Sequence, residues 1–244
     1  MNHKKVFSSG RNRMLLLKPE PTRRAKEIFQ EACCIENMEA KFGRTLSKDE
    51  DSVRRFILTQ SPILGRIPFI DEIRKEFNKF QKEKVDAILN KLHQVDAIHL
   101  DNDKTNIVAA YPFSGSETSH QVYLNRKGFK RVYAMCSIDA LGMSFMFNCD
   151  VSIESLCIHC GEKIEIEIRD NEIFVLNPKN TVVWYDMEYS CCAATSVCKH
   201  TNFFSSEKHY EDWQKGKPIK KGNLLPIQEA FYLGKLFFEN RLDN

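Results

Sequence analysis

The spacing of apolar residues divides this chain into a helical first half and a strand-rich second half. Over residues 22–41 the run AKEIFQEACCIENMEAK has helical periodicity, and Ser47-Lys-Asp-Glu50 has the form of a capping box opening a helix through Phe56 and Ile57. Ile70, Ile73 and Phe77 repeat at helical spacing, as do Val85, Ile88, Leu89, Leu92 and Val95. Ala97-Ile-His-Leu100, the polar turn Asp101-Asn-Asp-Lys104 and Asn106-Ile-Val-Ala-Ala-Tyr111 then read as a β-hairpin. Helix, helix, hairpin is the outline of a winged helix.

After the polar stretch Ser114-Gly-Ser-Glu-Thr118 the texture changes. Residues 120–124 suggest a strand, and residues 132–147 an apolar helix rich in small side chains. Residues 151–157, the alternating Lys163-Ile-Glu-Ile-Glu-Ile-Arg169, residues 172–176 and residues 181–185 suggest four more strands. In the alternating segment Ile164, Ile166 and Ile168 belong to a buried face and the glutamates to a solvated one, as in an antiparallel sheet covered on one side. Pro226 opens a last helix with Ile227, Phe231, Gly234 and Phe238 on one face. The expected fold class is α+β: a winged-helix-like domain over residues 21–113 packed on a mixed, largely antiparallel sheet domain with flanking helices over residues 114–244. Residues 1–20 read as a mobile or loosely docked arm.

Composition narrows the function classes. The 244 residues carry 36 Lys and Arg against 33 Asp and Glu, a formal net charge of +3, with no basic excess that advertises nucleic acid. The second helix of the winged-helix outline bears Lys82, Glu83, Lys84, Asp86, Lys91 and His93, a mixed face that argues against DNA contact. The apolar run of residues 14–17 is far short of a signal-peptide core, and no stretch approaches the roughly 20 apolar residues of a membrane-spanning helix. A cytoplasmic protein is therefore expected, with its nine cysteines kept reduced and used for metal or thiol chemistry rather than a disulfide framework.

Three groups of residues could carry that chemistry. Cys136 and Asp139 in VYAMCSIDALGM are three apart on the expected helix, which places thiol and carboxylate on one face. Asp139 sits among Ile138, Ala140 and Leu141, where a merely solvated carboxylate is out of place, and a partly buried carboxyl can hold a proton for delivery. Cys157-Ile-His-Cys160-Gly161 has zinc-knuckle spacing, but the residues available to complete such a site, Cys191, Cys192, Cys198 and His200, are irregularly spaced. Structural zinc and one or two packed thiols beside a turn both remain open there. Cys198 and His200, two apart on one segment, make a poor nucleophile pair.

Taken together, VYAMCSIDALGM, the sheet containing Cys157, the run Cys198-Lys-His-Thr-Asn-Phe-Phe-Ser-Ser, Tyr210-Glu-Asp-Trp213 and the closing Pro226-Ile-Gln-Glu-Ala-Phe-Tyr-Leu-Gly234 resemble the organomercurial lyase, or alkylmercury lyase, family. The resemblance is close over about residues 131–240, extends in outline from about Val53, and does not reach the first fifty residues. It implies protonolysis of a carbon–mercury bond in mercury detoxification, with catalytic positions at Cys136, Asp139 and Cys198, product Hg²⁺ held by Cys136 and Cys198, and a structural role for Cys157. It implies no organic cofactor and no catalytic metal. The implied partners are an organomercurial substrate and a thiol acceptor, either a small thiol or a mercuric reductase. Met135, Ser137, Lys199 and the additional Cys149, Cys160, Cys191 and Cys192 depart from the family pattern. The competing expectation is a zinc- or heavy-metal-binding transcriptional regulator, which a basic face on the Lys82 to Leu92 helix would favour.

Overall fold

The segment SIDALGMSFMF has no polar side, so it can persist as a helix only if the protein surrounds it. In the computed structural model, which describes residues 16–242 apart from 36, 37 and 219, all of Ser137–Phe147 is buried. The other elements are arranged around it.

In chain order these are α1 (Arg23–Ile35), α2 (Met38–Lys41), α3 (Lys48–Leu64), α4 (Ile70–Glu76), α5 (Lys82–Gln94), β1 (Ile98–Leu100), β2 (Ile107–Ala110) and β3 (Phe113–Ser114). They continue as β4 (Gln121–Leu124), β5 (Val132–Tyr133), α6 (Ser137–Phe147), β6 (Val151–Leu156), β7 (Lys163–Arg169), β8 (Glu172–Asn177) and β9 (Val182–Asp186). The last are α7 (Val197–His200), β10 (Asn202–Phe204), α8 (Glu207–Gln214), β11 (Gly222–Pro226) and α9 (Ile227–Phe238). Three antiparallel sheets form, in the orders β1-β2-β3, β5-β4-β6-β7-β8 and β10-β9-β11. The fold is α+β.

Local chemistry accounts for the boundaries. The capping box at α3 is formed: Ser47 Oγ accepts the Glu50 N–H at 3.3 Å, and Glu50 Oε2 accepts the Ser47 N–H at 2.7 Å. The alternation in β7 buries Ile164, Ile166 and Ile168. Two expectations change. Residues 132–147 are not one helix, because Val132 and Tyr133 pair with Val122 and Gln121 of β4, and the helix starts only after Cys136. The expected fourth strand of the large sheet leaves it; β9 pairs instead with β10 and β11.

Residues 1–15 of the expected arm lie outside the described residues. Beyond them Leu17 exchanges two backbone hydrogen bonds with Ile173, at 3.1 and 2.8 Å, and Thr22 and Arg24 donate to the buried Glu229 of α9. One continuous apolar cluster runs from Ile28 to Phe238 and joins the two halves. Among the described residues no helix is long and apolar enough to cross a membrane.

The tightest crossing is α6 on α9. A Cβ built on Gly142 would lie 2.1 Å from Cδ2 of Phe238, and one on Gly234 would lie 3.1 Å from the Gly142 nitrogen. Gly142→Ala must therefore displace Phe238 from a filled core, and overpacking of this kind typically costs about 1–3 kcal/mol. Chemical denaturation should show a loss in that range; an unchanged midpoint would mean that the ring moves aside freely.

Candidate active site

The site begins at a helix cap. Cys136 has an extended backbone (φ −151°, ψ 177°) and is the N-cap of α6, where its Sγ accepts the Asp139 N–H at 3.4 Å. Serine, threonine, aspartate or asparagine usually fills this position, so a sulfur here fixes one thiol against the first turn of the helix. Asp139 is the third residue of that helix, and its side chain returns to the same place. Cap geometry, rather than a shared helical face, brings thiol and carboxyl together.

Cys198 arrives from a segment distant in sequence. It lies in the short helix α7, where its N–H donates to Ala193 O at 2.9 Å within its own loop, and one backbone contact ties the end of that helix to α6: the Ser137 N–H donates to the O of Thr201, the α7 C-cap, at 3.4 Å. Thr201 is anchored in turn, its Oγ1 accepting the Asp186 N–H at 3.1 Å from β9. The Cys198 thiol donates to Asp139 Oδ2 at 3.6 Å. One sulfur from each cysteine and a carboxylate oxygen of Asp139 lie within 4.8 Å of one another. Cys136, Asp139 and Cys198 are only 3%, 4% and 7% exposed.

Burial sets the protonation of the thiols. Loss of solvation pushes Cys136 above the ordinary thiol range, against the lowering influence of hydrogen bonds from Cys198 and the Asp139 backbone. Cys198 is raised well above it, first by its hydrogen bond to Cys136, then by burial and by the Asp139 charge. Both sulfurs therefore rest as thiols at neutral pH. A soft cation that replaces the two protons yields a neutral bis-thiolate complex, which an apolar pocket tolerates far better than two free thiolates.

A buried polar network lies against this group. Asp96 accepts from Lys41 Nζ at 3.1 Å, from Tyr111 Oη at 3.0 Å and from the Ala193 N–H at 3.0 Å, and the ammonium also sits 3.7 Å from the Tyr111 ring centroid. Burial raises the Tyr111 hydroxyl well above its usual pKa, so it remains a donor. Lys41, Met38 and Phe42 line the pocket together with the two thiols, Tyr185, Phe237 and Phe238. Its volume is about 30 Å³, room for one or two waters, so an organic ligand must displace side chains to enter. A larger cleft of about 500 Å³ near Arg44, Arg54 and Arg241 contains no cysteine.

A family model described as alkylmercury lyase matches residues 113–239, the stretch that holds all three buried groups. The chain belongs to the alkylmercury lyase family. It is 33% identical over 111 residues to an alkylmercury lyase of Bacillus cereus and, to the same extent, to one of Clostridium butyricum. Each match covers 44% of this chain and 49% of the relative, so the chain spans about half the length of the curated relatives it matches. Among solved structures, the mercury-bound form of MerB2 superimposes with a TM-score of 0.67 at 25% identity, covering 84% of this chain and 98% of that one.

The remaining cysteines of this family member are dispersed, and all nine are free thiols. Cys191 and Cys192 share Thr195 Oγ1, at 3.7 and 3.0 Å, and neither they nor His200 completes a site with Cys157. Cys157 and Cys160 instead approach His209 of α8, with the histidine Nδ1 3.8 Å from the first sulfur and 3.4 Å from the second. Burial alone would raise the Cys157 thiol, but hydrogen bonds from Ser205, Cys160 and His159 prevail and bring it down to about 6. His209 and Lys41 were both missed from sequence. The signal for His209 was an unpaired Cys-X-X-Cys with one histidine just past the Ser206 cap; Lys41 carried none. The exposed side of α5 bears Glu83 beside Lys82, Lys84 and Lys91, and Lys84 is held by Asp49 at 2.6 Å, so no basic stripe favours the regulator.

The Lys41 charge opposes the rise of the Cys198 pKa. Lys41→Met should therefore shift the pH–rate profile for alkylation of Cys198, followed by peptide mass spectrometry, to higher pH. It should also cost about 3–5 kcal/mol by leaving Asp96 buried without its cation. A profile that does not move would place Cys198 outside the reach of that charge.

Proposed function

We propose that the protein cleaves organomercurials by protonolysis, with Cys136 and Cys198 as mercury ligands and Asp139 as proton carrier. The observation that carries this reading is the enclosure of two thiols and one carboxyl, within 4.8 Å of one another, in a pocket walled by apolar side chains. Protonolysis needs soft ligands for mercury and an acid beside its carbon, and these residue types supply both. The mercury-bound relative of the same fold supports mercury as the occupant.

The chemistry balances as R–Hg⁺ plus two Cys–SH giving RH, (Cys–S)₂Hg and H⁺. Cys136, at the pocket wall, exchanges its proton for the mercury of the substrate. Asp139 Oδ2, already the acceptor of the Cys198 S–H, takes the second thiol proton and frees that sulfur to bind the same mercury. Electron donation from two sulfurs makes the attached carbon more basic. Asp139 then gives its proton to carbon, the carbon–mercury bond breaks, and the hydrocarbon leaves. Mercury(II) remains between the cysteines until a small thiol or the thiols of a mercuric reductase remove it by exchange. Exclusion of water strengthens each of these interactions. The winged-helix-like grouping of residues 21–113 serves, in this reading, as a scaffold whose Lys41 helps to line the pocket rather than as a DNA reader.

Asp139→Asn retains shape and both thiols but removes the acid. Hydrocarbon release should fall by about 10²–10⁴-fold while an intact R–Hg adduct accumulates, visible as added mass in native mass spectrometry. Cys136→Ser should lose capture as well as cleavage. Turnover of Asp139→Asn at the wild-type rate would assign the proton to a thiol or to water.

A further inference from the structure

Among the described residues one other cluster has the donors of a metal site, and it lies outside the pocket. Cys157 follows β6, Cys160 sits in the turn before β7, and His209 is in the first turn of α8; one donor atom from each falls within 4.8 Å of the others. We propose that these three residues hold a zinc ion that clasps the β6–β7 turn to the start of α8.

Three observations support it. Zinc–sulfur bonds of about 2.3 Å and zinc–nitrogen bonds of about 2.0–2.1 Å at tetrahedral angles imply sulfur-to-nitrogen edges of about 3.5–3.6 Å. The two sulfur-to-nitrogen edges here are 3.8 and 3.4 Å, within tenths of an ångström of that value, and all three donors lie within 4.8 Å of one another. The turn is also built as a thiolate knuckle. Cys157 O accepts the Gly161 N–H at 2.9 Å, Cys157 N–H donates to Glu162 O at 2.8 Å, and Gly161 has φ +74°, which glycine adopts without strain.

Ser205 Oγ, finally, lies 2.5 Å from His209 Nδ1 and 3.9 Å from the Cys160 sulfur; an ion on Nδ1 displaces the first contact and leaves the hydroxyl to donate to the Cys160 thiolate. Two thiolates and one imidazole suit zinc better than hard cations such as magnesium or calcium. Cys160 is exposed and His209 half-buried, which leaves the fourth position to water. The clasp bears on the chain that leads from Cys198, because Ile158 N–H donates to Phe203 O at 3.2 Å in β10, the strand directly after α7. Zinc here has a structural task, independent of the reaction proposed for the pocket.

The test uses the full chain, produced in zinc-supplemented medium, desalted, and assayed for metal by plasma mass spectrometry. About one zinc per chain is expected in the wild type, with loss in Cys160→Ser and in His209→Gln and retention in Cys198→Ser, which alters only the pocket. Both discriminating positions are solvent-accessible, and far-ultraviolet circular dichroism establishes that each variant is folded. Cobalt(II) added to the metal-free protein should give thiolate charge-transfer bands that weaken in Cys160→Ser, and visible bands that shift in His209→Gln. Absence of zinc after incubation with the ion, its retention in both discriminating variants, its loss in Cys198→Ser, or uptake of mercury(II) alone would each overturn the assignment.

Discussion

Two thiols enclosed with a carboxylate in an apolar pocket resist ionisation, and the site depends on how the chain sustains that arrangement. Any one of the three as an isolated buried anion would be expensive. They are mutually satisfied instead: the Asp139 N–H meets the Cys136 sulfur and the Cys198 thiol meets the Asp139 carboxylate. The framework is backbone. Capping places Cys136 and Asp139 in fixed relation on α6, and the Ser137 to Thr201 hydrogen bond carries α7 to the same point. The hydrogen bond between the sulfurs and their burial keep both protonated, and a soft cation that neutralised two thiolates at once would suit such a pocket better than the free thiolates.

The rest of the fold serves that enclosure. Gly142 and Gly234 let α6 and α9 approach closely enough for Phe237 and Phe238 to wall the pocket. Met38, Lys41 and Phe42 come from the helical first half, which is thereby part of the site rather than an appendage to it. Lys41 and Asp96 form a buried ion pair that Tyr111 and the Ala193 N–H complete, and Ala193 O receives the Cys198 N–H. The loop bearing the second thiol is thus tied to the amino-terminal half through a buried polar network, and hydrogen-bonded networks of this kind rigidify a structure.

What could be read in the sequence was local. The Ile164, Ile166, Ile168 alternation, the Ser47 to Glu50 box and the helix after Pro226 each follow from short-range periodicity or capping, and each is present. The boundary at Cys136 was less accessible, since cysteine is an unusual cap and Val132 and Tyr133 reveal their strand only through pairing with β4. The approach of Cys198 to Cys136 has no periodic signature at all; family resemblance pointed to it, while the tertiary contact depends on β9, β10 and the Thr201 anchor. His209 escaped for the same reason: its meeting with Cys157 and Cys160 is made by packing of α8, not by spacing. A buried Lys41 runs against the usual placement of lysine and becomes intelligible only beside Asp96.

If Cys136, Asp139 and Cys198 act as proposed, a solvent-exchangeable proton ends on the carbon that mercury held. The decisive measurement is mass spectrometry of the headspace gas after purified protein is incubated with methylmercury and excess thiol in deuterium oxide. Monodeuterated methane is expected, one molecule for each mercury released. Methylmercury recovered intact as its thiol complex, with folded protein present and no methane evolved, would contradict it.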